Sequence, residues 1–337
     1  MTPRSYVCRL GPVSVGLITT DATVLTYLRE FYAIAESSVP PGNWTIEARV
    51  ARPAVTMAVN RWGVGRAVDA NARRVRLQAA DARCVAITTR KTLREVLVDY
   101  CEQRRYVMLH ASAVGDHERV IVIVGDKGSG KTTLALKAML GRGMRLLSND
   151  HLIVYPDSAD QPTTGLMLTS LPTMIPLKIG TYLDLEAELP SPWSTEGLDL
   201  DVYRTVARHQ LYRLDRRVLY TYSSLGQPNP LAAALHDAGS GPDVIVALAR
   251  YTHGHPAVVP VDDPVEALLP HVRTDWMFDP ELNQRYLPRT ERARADYLTD
   301  ARQLMAALAD RASIVSFAHG GDPTLLLHGT NLERKIS

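Results

Sequence analysis

The residues with the most evident capacity for chemistry are consecutive: Gly125, Asp126, Lys127, Gly128, Ser129, Gly130, Lys131 and Thr132, followed by Thr133. They complete the Walker A, or P-loop, pattern G-x-x-x-x-G-K-[ST]. Gly125, Gly128 and Gly130 allow a turn tight enough for successive backbone N–H groups to converge on phosphate oxygens. A helix starting near Lys131 adds its positive N-terminal end. Lys131 places a compact charge on the β and γ phosphates, and the Thr132 hydroxyl can ligate magnesium. A chance match in a chain of ordinary glycine content is on the order of 1%. The expectation is a nucleoside triphosphate site.

A second acidic group is needed to hold metal or accept a proton. The usual place, the end of a distal apolar strand, is not acidic here, because Val244 to Ala249 runs into Arg250. The nearest carboxylate is Asp150, at the end of Met144-Arg145-Leu146-Leu147-Ser148-Asn149. His151 beside it reads as structural, and Lys178 and Arg250 read as surface charge. His253-Gly254-His255 lacks partner ligands at metal-site spacing.

The elements that must position these residues follow from periodicity. Val13, Val15 and Leu17 alternate as in a half-buried strand, and Asp21 can cap a helix carrying Val24, Leu25, Leu28, Phe31 and Tyr32 until Pro40-Pro41-Gly42-Asn43. Trp44 to Thr89 reads as short strands (TIEARV, RRVRLQA, CVAITT). Thr89 to Thr92 opens a helix, and a domain boundary is placed near residue 105. Strands at Tyr106 to Val114 and Val120 to Val124 lead into the glycine-rich loop, and its helix stops at Gly141-Arg142-Gly143. Strands at Met144 to Leu147 and Leu152 to Tyr155 flank Asn149 and Asp150, residues 156–240 read as irregular, and helices are expected at Pro264 to Leu269 and Ala293 to Leu308. Strand, loop, helix, strand predicts an α/β core.

At 337 residues, 46% hydrophobic and 22% charged, the chain has room for two domains: a mixed α+β N-terminal one over 1–105 and the nucleotide-binding one over 106–337. Residues 1–105 hold 16 basic and 9 acidic residues and the remainder 22 and 27, which reads first as scattered, solvated arginines, with docking between the parts or an acidic partner as the alternative. The net charge of +2 and the scattered aromatics do not suggest nucleic acid. Cys8, Cys84 and Cys101 have no paired or metal-ligand spacing, and neither a signal peptide nor a membrane-length apolar run is evident, so a cytoplasmic protein is expected.

Three segments in order resemble the HPr kinase/phosphorylase family and its bacterial relatives, some of which phosphorylate lasso-peptide precursors: Leu109-His110-Ala111, GDKGSGKT, and Arg145-Leu146-Leu147-Ser148-Asn149-Asp150. The likeness covers roughly residues 90–160. It implies a phosphoenolpyruvate-carboxykinase-like P-loop fold and transfer of the γ-phosphoryl group of Mg-ATP to a hydroxyl, typically a serine of a peptide or small protein. It further implies Lys131 and Thr132 on phosphate and metal, Asp150 as magnesium ligand, and His110 beside the catalytic acid. Homo-oligomers occur in the family. Asn149 stands where the family has its proposed aspartate base, so base catalysis falls to Asp150, to His110, or to neither. The family's downstream glutamate has no counterpart, Pro176-Leu177-Lys178 occupying that place. A small-molecule hydroxyl kinase and a non-catalytic nucleotide-binding module are the rival expectations.

Overall fold

Apolar alternation and aspartate caps build most of the first unit. In the computed structural model, which describes residues 4–38, 44–157, 165–227, 233–235, 242–279, 287–288 and 292–327, the chain divides into Met1–Arg105 with Thr274–Arg294, and Tyr106–Arg273 with Ala295–Ser337. The first unit opens with β1 (Arg4–Leu10), β2 (Val13–Thr19), α1 (Ala22–Arg29), β3 (Ala33–Glu36) and β4 (Thr45–Val50). It continues through β5 (Ala58–Val59), β6 (Gly65–Asp69), β7 (Arg74–Ala79) and α2 (Ala82–Gln103). Its seven strands form one sheet, in the order β3-β1-β2-β4-β7-β6-β5. Asp21 caps α1 by accepting from the Val24 N–H at 3.0 Å.

Three expectations for this unit are corrected. Cys84 to Thr89 is helix, not strand. Asp81 accepts from the Cys84 N–H at 2.9 Å and starts α2 early, with Val85, Ala86, Thr89, Leu93 and Val96 on its buried face. Helix α1 ends at Arg29, so Phe31 and Tyr32 bury from the turn after it, and Pro40 to Asn43 lie outside the described residues. The second unit is not the contiguous span 106–337, because Thr274–Arg294 belongs with the first. There Arg94 lies over the Trp276 ring at 4.7 Å, and the Leu287 N–H donates to Glu95 Oε2 at 3.0 Å.

The second unit is mixed α/β. It runs through β8 (Val107–Leu109), β9 (Ala111–Gly115), β10 (Arg119–Val124), α3 (Lys131–Arg142), β11 (Arg145–Ser148) and β12 (Leu152–Pro156). Then come β13 (Leu166–Ser170), β14 (Ile175–Lys178), β15 (Arg217–Tyr220), β16 (Ala233–Leu235), β17 (Asp243–Tyr251), β18 (Ala257–Pro260) and β19 (Ser313–His319). The region 156–240, expected to be irregular, therefore carries four strands among its described residues, together with short helices such as Ile179–Leu185. Helices also occupy Pro264–Leu268 and Arg294–Ala309.

Six strands form the main sheet, ordered β11-β9-β10-β17-β19-β18, and β16-β13-β12-β8 form another. Strands β10, β17 and β19 are parallel neighbours, with Val120 opposite Val244 and Ile245 opposite Ser313. Buried along most of their length, β10 and β17 carry the near-continuous apolar text Val-Ile-Val-Ile-Val and Val-Ile-Val-Ala-Leu-Ala. Leu134, Ala135 and Ala138 of α3 pack into the same core with Ile123, Ala247 and Phe317. Gly143, at φ 64°, closes the helix in the left-handed conformation. The single strand expected from Tyr106 to Val114 is two strands in different sheets, broken at His110. Among the described residues no helix is long and apolar enough to cross a membrane.

Candidate functional site

The carboxyl ends of β10, β17 and β19 lie side by side, and the glycine-rich loop leaves from β10. Its backbone requires glycine at two points for steric reasons. At Gly125 (φ 147°) a Cβ would meet the Ala249 carbonyl oxygen at 2.6 Å and Ser129 Oγ at 2.7 Å. At Gly130 (φ 90°), the N-cap of α3, it would meet His319 Cε1 at 2.9 Å. No side chain caps α3 there, so the N–H groups of its first turn are not taken by a capping residue. Lys131 Nζ folds back to donate to the carbonyls of Gly125 (2.7 Å) and Asp126 (3.0 Å). Burial lowers the Lys131 pKa, Asp150 and Asp126 oppose that shift, and Arg273 adds to it. Ser129 Oγ is buried and has no hydrogen-bond partner among the described residues.

His319, at the end of β19, is 0% exposed and braces this loop. Its Nδ1 accepts from the Gly321 N–H at 2.9 Å, which leaves Nε2 to carry the proton and donate to the Ser129 carbonyl at 2.8 Å. Burial lowers the His319 pKa, partly offset by that bond, and Lys137 pushes the same way as burial.

The turn from β11 to β12 supplies the other half of the cluster. Ser148 Oγ donates to the His151 carbonyl at 2.9 Å, and the Asn149 N–H donates to the Tyr222 hydroxyl at 3.0 Å. That hydroxyl also lies 2.9 Å from Ser170 Oγ. Between these anchors Asp150 adopts φ 72°, a left-handed conformation that Asp tolerates better than most residues. The Asn149 side chain turns toward the loop, where its Oδ1 accepts from Thr132 Oγ1 at 2.9 Å and from Ser112 Oγ at 3.4 Å.

Asp150 faces three nitrogen-bearing side chains. His110 Nε2 lies 2.8 Å from its Oδ1, while His151 Nδ1 and Arg273 Nη1 each lie 3.5 Å from its Oδ2. Burial favours the neutral acid, but the hydrogen bond from His110 and the charges of His151, His110 and Arg273 outweigh it. They hold the carboxyl well below the usual range, so Asp150 stays ionised. The break at His110 makes this geometry possible: the His110 N–H donates to the His271 carbonyl and the Arg273 N–H to the Met108 carbonyl, both at 2.8 Å. Burial lowers the His271 pKa against the pull of Asp126, with Lys131 and His110 lowering it further.

The structure thus brings Lys131, Thr132, Asp150 and His110 into one cluster. Asp126, Lys127 and Gly128 are exposed on the loop, and the Thr133 hydroxyl points to Thr181 Oγ1 at 3.2 Å. His151, read as merely structural, borders the cluster. Lys178 Nζ turns instead to the Tyr212 carbonyl at 3.4 Å, and Arg250 is exposed. Ser112, Tyr222, His271, Arg273 and His319 are absent from the sequence reading. Each reaches the cluster through sheet pairing or a long chain return, and no local spacing announces it.

Among the described residues no group of three or more His, Cys, Asp or Glu is arranged to hold a metal ion. Magnesium needs no such group, because it binds through one or two protein oxygens together with phosphate and water. Thr132 Oγ1, Asn149 Oδ1 and Asp150 present only oxygen donors, which fits that ion, and the glycine cradle fits a phosphate chain. Compared with protein-family models and with curated proteins, the chain matches none.

Proposed function

We propose that the chain is a Mg-ATP-dependent kinase of the HPr kinase-like type, transferring the γ-phosphoryl group to a hydroxyl, foremost a serine of a peptide or small protein. The observation that carries this reading is the 2.9 Å hydrogen bond from Thr132 Oγ1 to Asn149 Oδ1. It joins a loop suited to a triphosphate to a turn whose next residue is a constitutively ionised carboxylate held by His110.

The roles follow from position. The loop N–H groups and Lys131 hold the β and γ phosphates. Thr132 Oγ1, Asn149 Oδ1 and Asp150 would hold magnesium, which would neutralise the charge that develops on the phosphates. Asp150, with His110, orients the acceptor hydroxyl and takes its proton. The acceptor oxygen forms a bond to the γ phosphorus, the bond to the β–γ bridging oxygen breaks with its electrons left on ADP, and the hydroxyl proton passes to the Asp150–His110 pair. A carboxylate of such low basicity is adequate, because this chemistry depends chiefly on positioning and charge. Arg273 supplies a further cation where negative charge develops.

One observation favours a second reading, a non-catalytic nucleotide-binding module: the group beside Thr132 is the amide of Asn149 and not a carboxylate. Label transfer from γ-labelled ATP in a host lysate, with Lys131→Ala as control and products separated by size, decides. Lysine-dependent label on peptide or protein is expected. Label on metabolites alone identifies a small-molecule acceptor. Nucleotide binding without label in either fraction rejects the kinase and leaves the module.

A further inference from the structure

Beyond the loop, the ends of β17 and β19 carry rings. Tyr251 ends β17, a strand otherwise largely buried, and remains 52% exposed. It meets His319 at 5.8 Å and His253 at 5.3 Å between centroids, both at 86°. Phe317 stacks behind His319 at 5.3 Å. The segment is pinned in this form: the Thr252 N–H donates to the His319 carbonyl at 2.9 Å, and the Gly254 N–H to Thr252 Oγ1 at 3.0 Å. The same His319 ring abuts Gly130 and holds the Ser129 carbonyl. A continuous row of rings therefore leads from the loop to an exposed tyrosine, along the carboxyl ends of adjacent parallel strands, where ligands of such sheets bind.

We propose that Tyr251 and His253, backed by His319, form the seat on which the base of the bound nucleotide stacks. The proposal rests on the reading of Gly125 to Thr132 as a triphosphate loop. The exposed face of Tyr251, held edge-on by the two histidines, recognises the area of a base and not its hydrogen-bonding edge. The ligand class is therefore a purine nucleoside triphosphate, with little distinction between adenine and guanine and weaker binding of pyrimidines.

Titration of the full-length protein with magnesium and either ATP or inorganic tripolyphosphate tests this, because tripolyphosphate occupies the loop without a base. In wild type, ATP and GTP should bind more tightly than UTP and tripolyphosphate. Tyr251→Ala should weaken ATP roughly ten-fold while leaving tripolyphosphate unchanged, and Tyr251→Phe should stay near wild type. Equal loss of both ligands in Tyr251→Ala would assign the ring a structural role and overturn the proposal, as would unchanged ATP affinity. Wild type that binds tripolyphosphate as tightly as ATP overturns the base seat alone. Wild type that binds neither overturns the triphosphate loop and the seat with it.

Discussion

Gly130 stands where backbone and side-chain constraints meet, between a left-handed turn and the His319 ring. Gly130→Ala should cost about 1–2 kcal/mol from backbone strain alone, before the clash with His319 is relieved. The urea midpoint should fall, and phosphate affinity should fall with it as the loop opens. Histidine chemistry gives a second expectation at this scale. His271 and His319 are held below their ordinary pKa in the folded protein, so the unfolded chain takes up protons first as the pH drops through about 6.5. Stability is then full above that pH and is lost below it. The depressed Asp150 pKa acts in a lower range: its contribution is full above about 3.9 and disappears only in stronger acid. Melting temperature followed from pH 7.5 to pH 5 should decline, and His319→Gln, which keeps a donor for the Ser129 carbonyl, should flatten the decline.

Helix α3 and the strands beneath it set the loop's stability. Leu134 is 0% exposed in the core shared with Ile123, Ala247 and Phe317, so Leu134→Ala should destabilise by about 2–5 kcal/mol in chemical denaturation. The loop and α3 are legible in the sequence because their chemistry is consecutive: glycines, lysine and threonine lie between an apolar strand and a helix. Asp150 is legible because only one helix and one strand separate it from the loop. Arg273 and Tyr222 are not, since hydrogen bonds and strand pairing between distant segments bring them to the turn. The α2 segment CVAITT shows the other limit. Its β-branched residues favour a strand locally, but the Asp81 cap and a helical burial face decide otherwise. His110 was expected within a strand and marks a break instead, because its backbone pairs with His271 and not with a strand neighbour.

At the scale of the whole molecule the boundary near Arg105 is only part of the division, since the first unit is completed by Thr274–Arg294. A fragment of residues 1–105 alone should show lower helicity and a broader unfolding transition than the same fragment with 274–294 supplied, measured by circular dichroism. Completion from a distance also governs how the chain is made. The parallel pairing of Val120 waits for Val244, the pairing of Ile245 with β19 waits for Ser313, and the brace on Ser129 waits for His319. At ~5–20 residues per second, the ribosome takes about 10–40 s to travel from the loop strand to its last brace. Until β17 is made, β10 is an apolar strand without its parallel neighbour, dependent on chaperones or on its hairpin with β9 to stay out of aggregates. The loop is therefore finished long after it is written, and the yield of folded protein depends on how well a half-made sheet is sheltered.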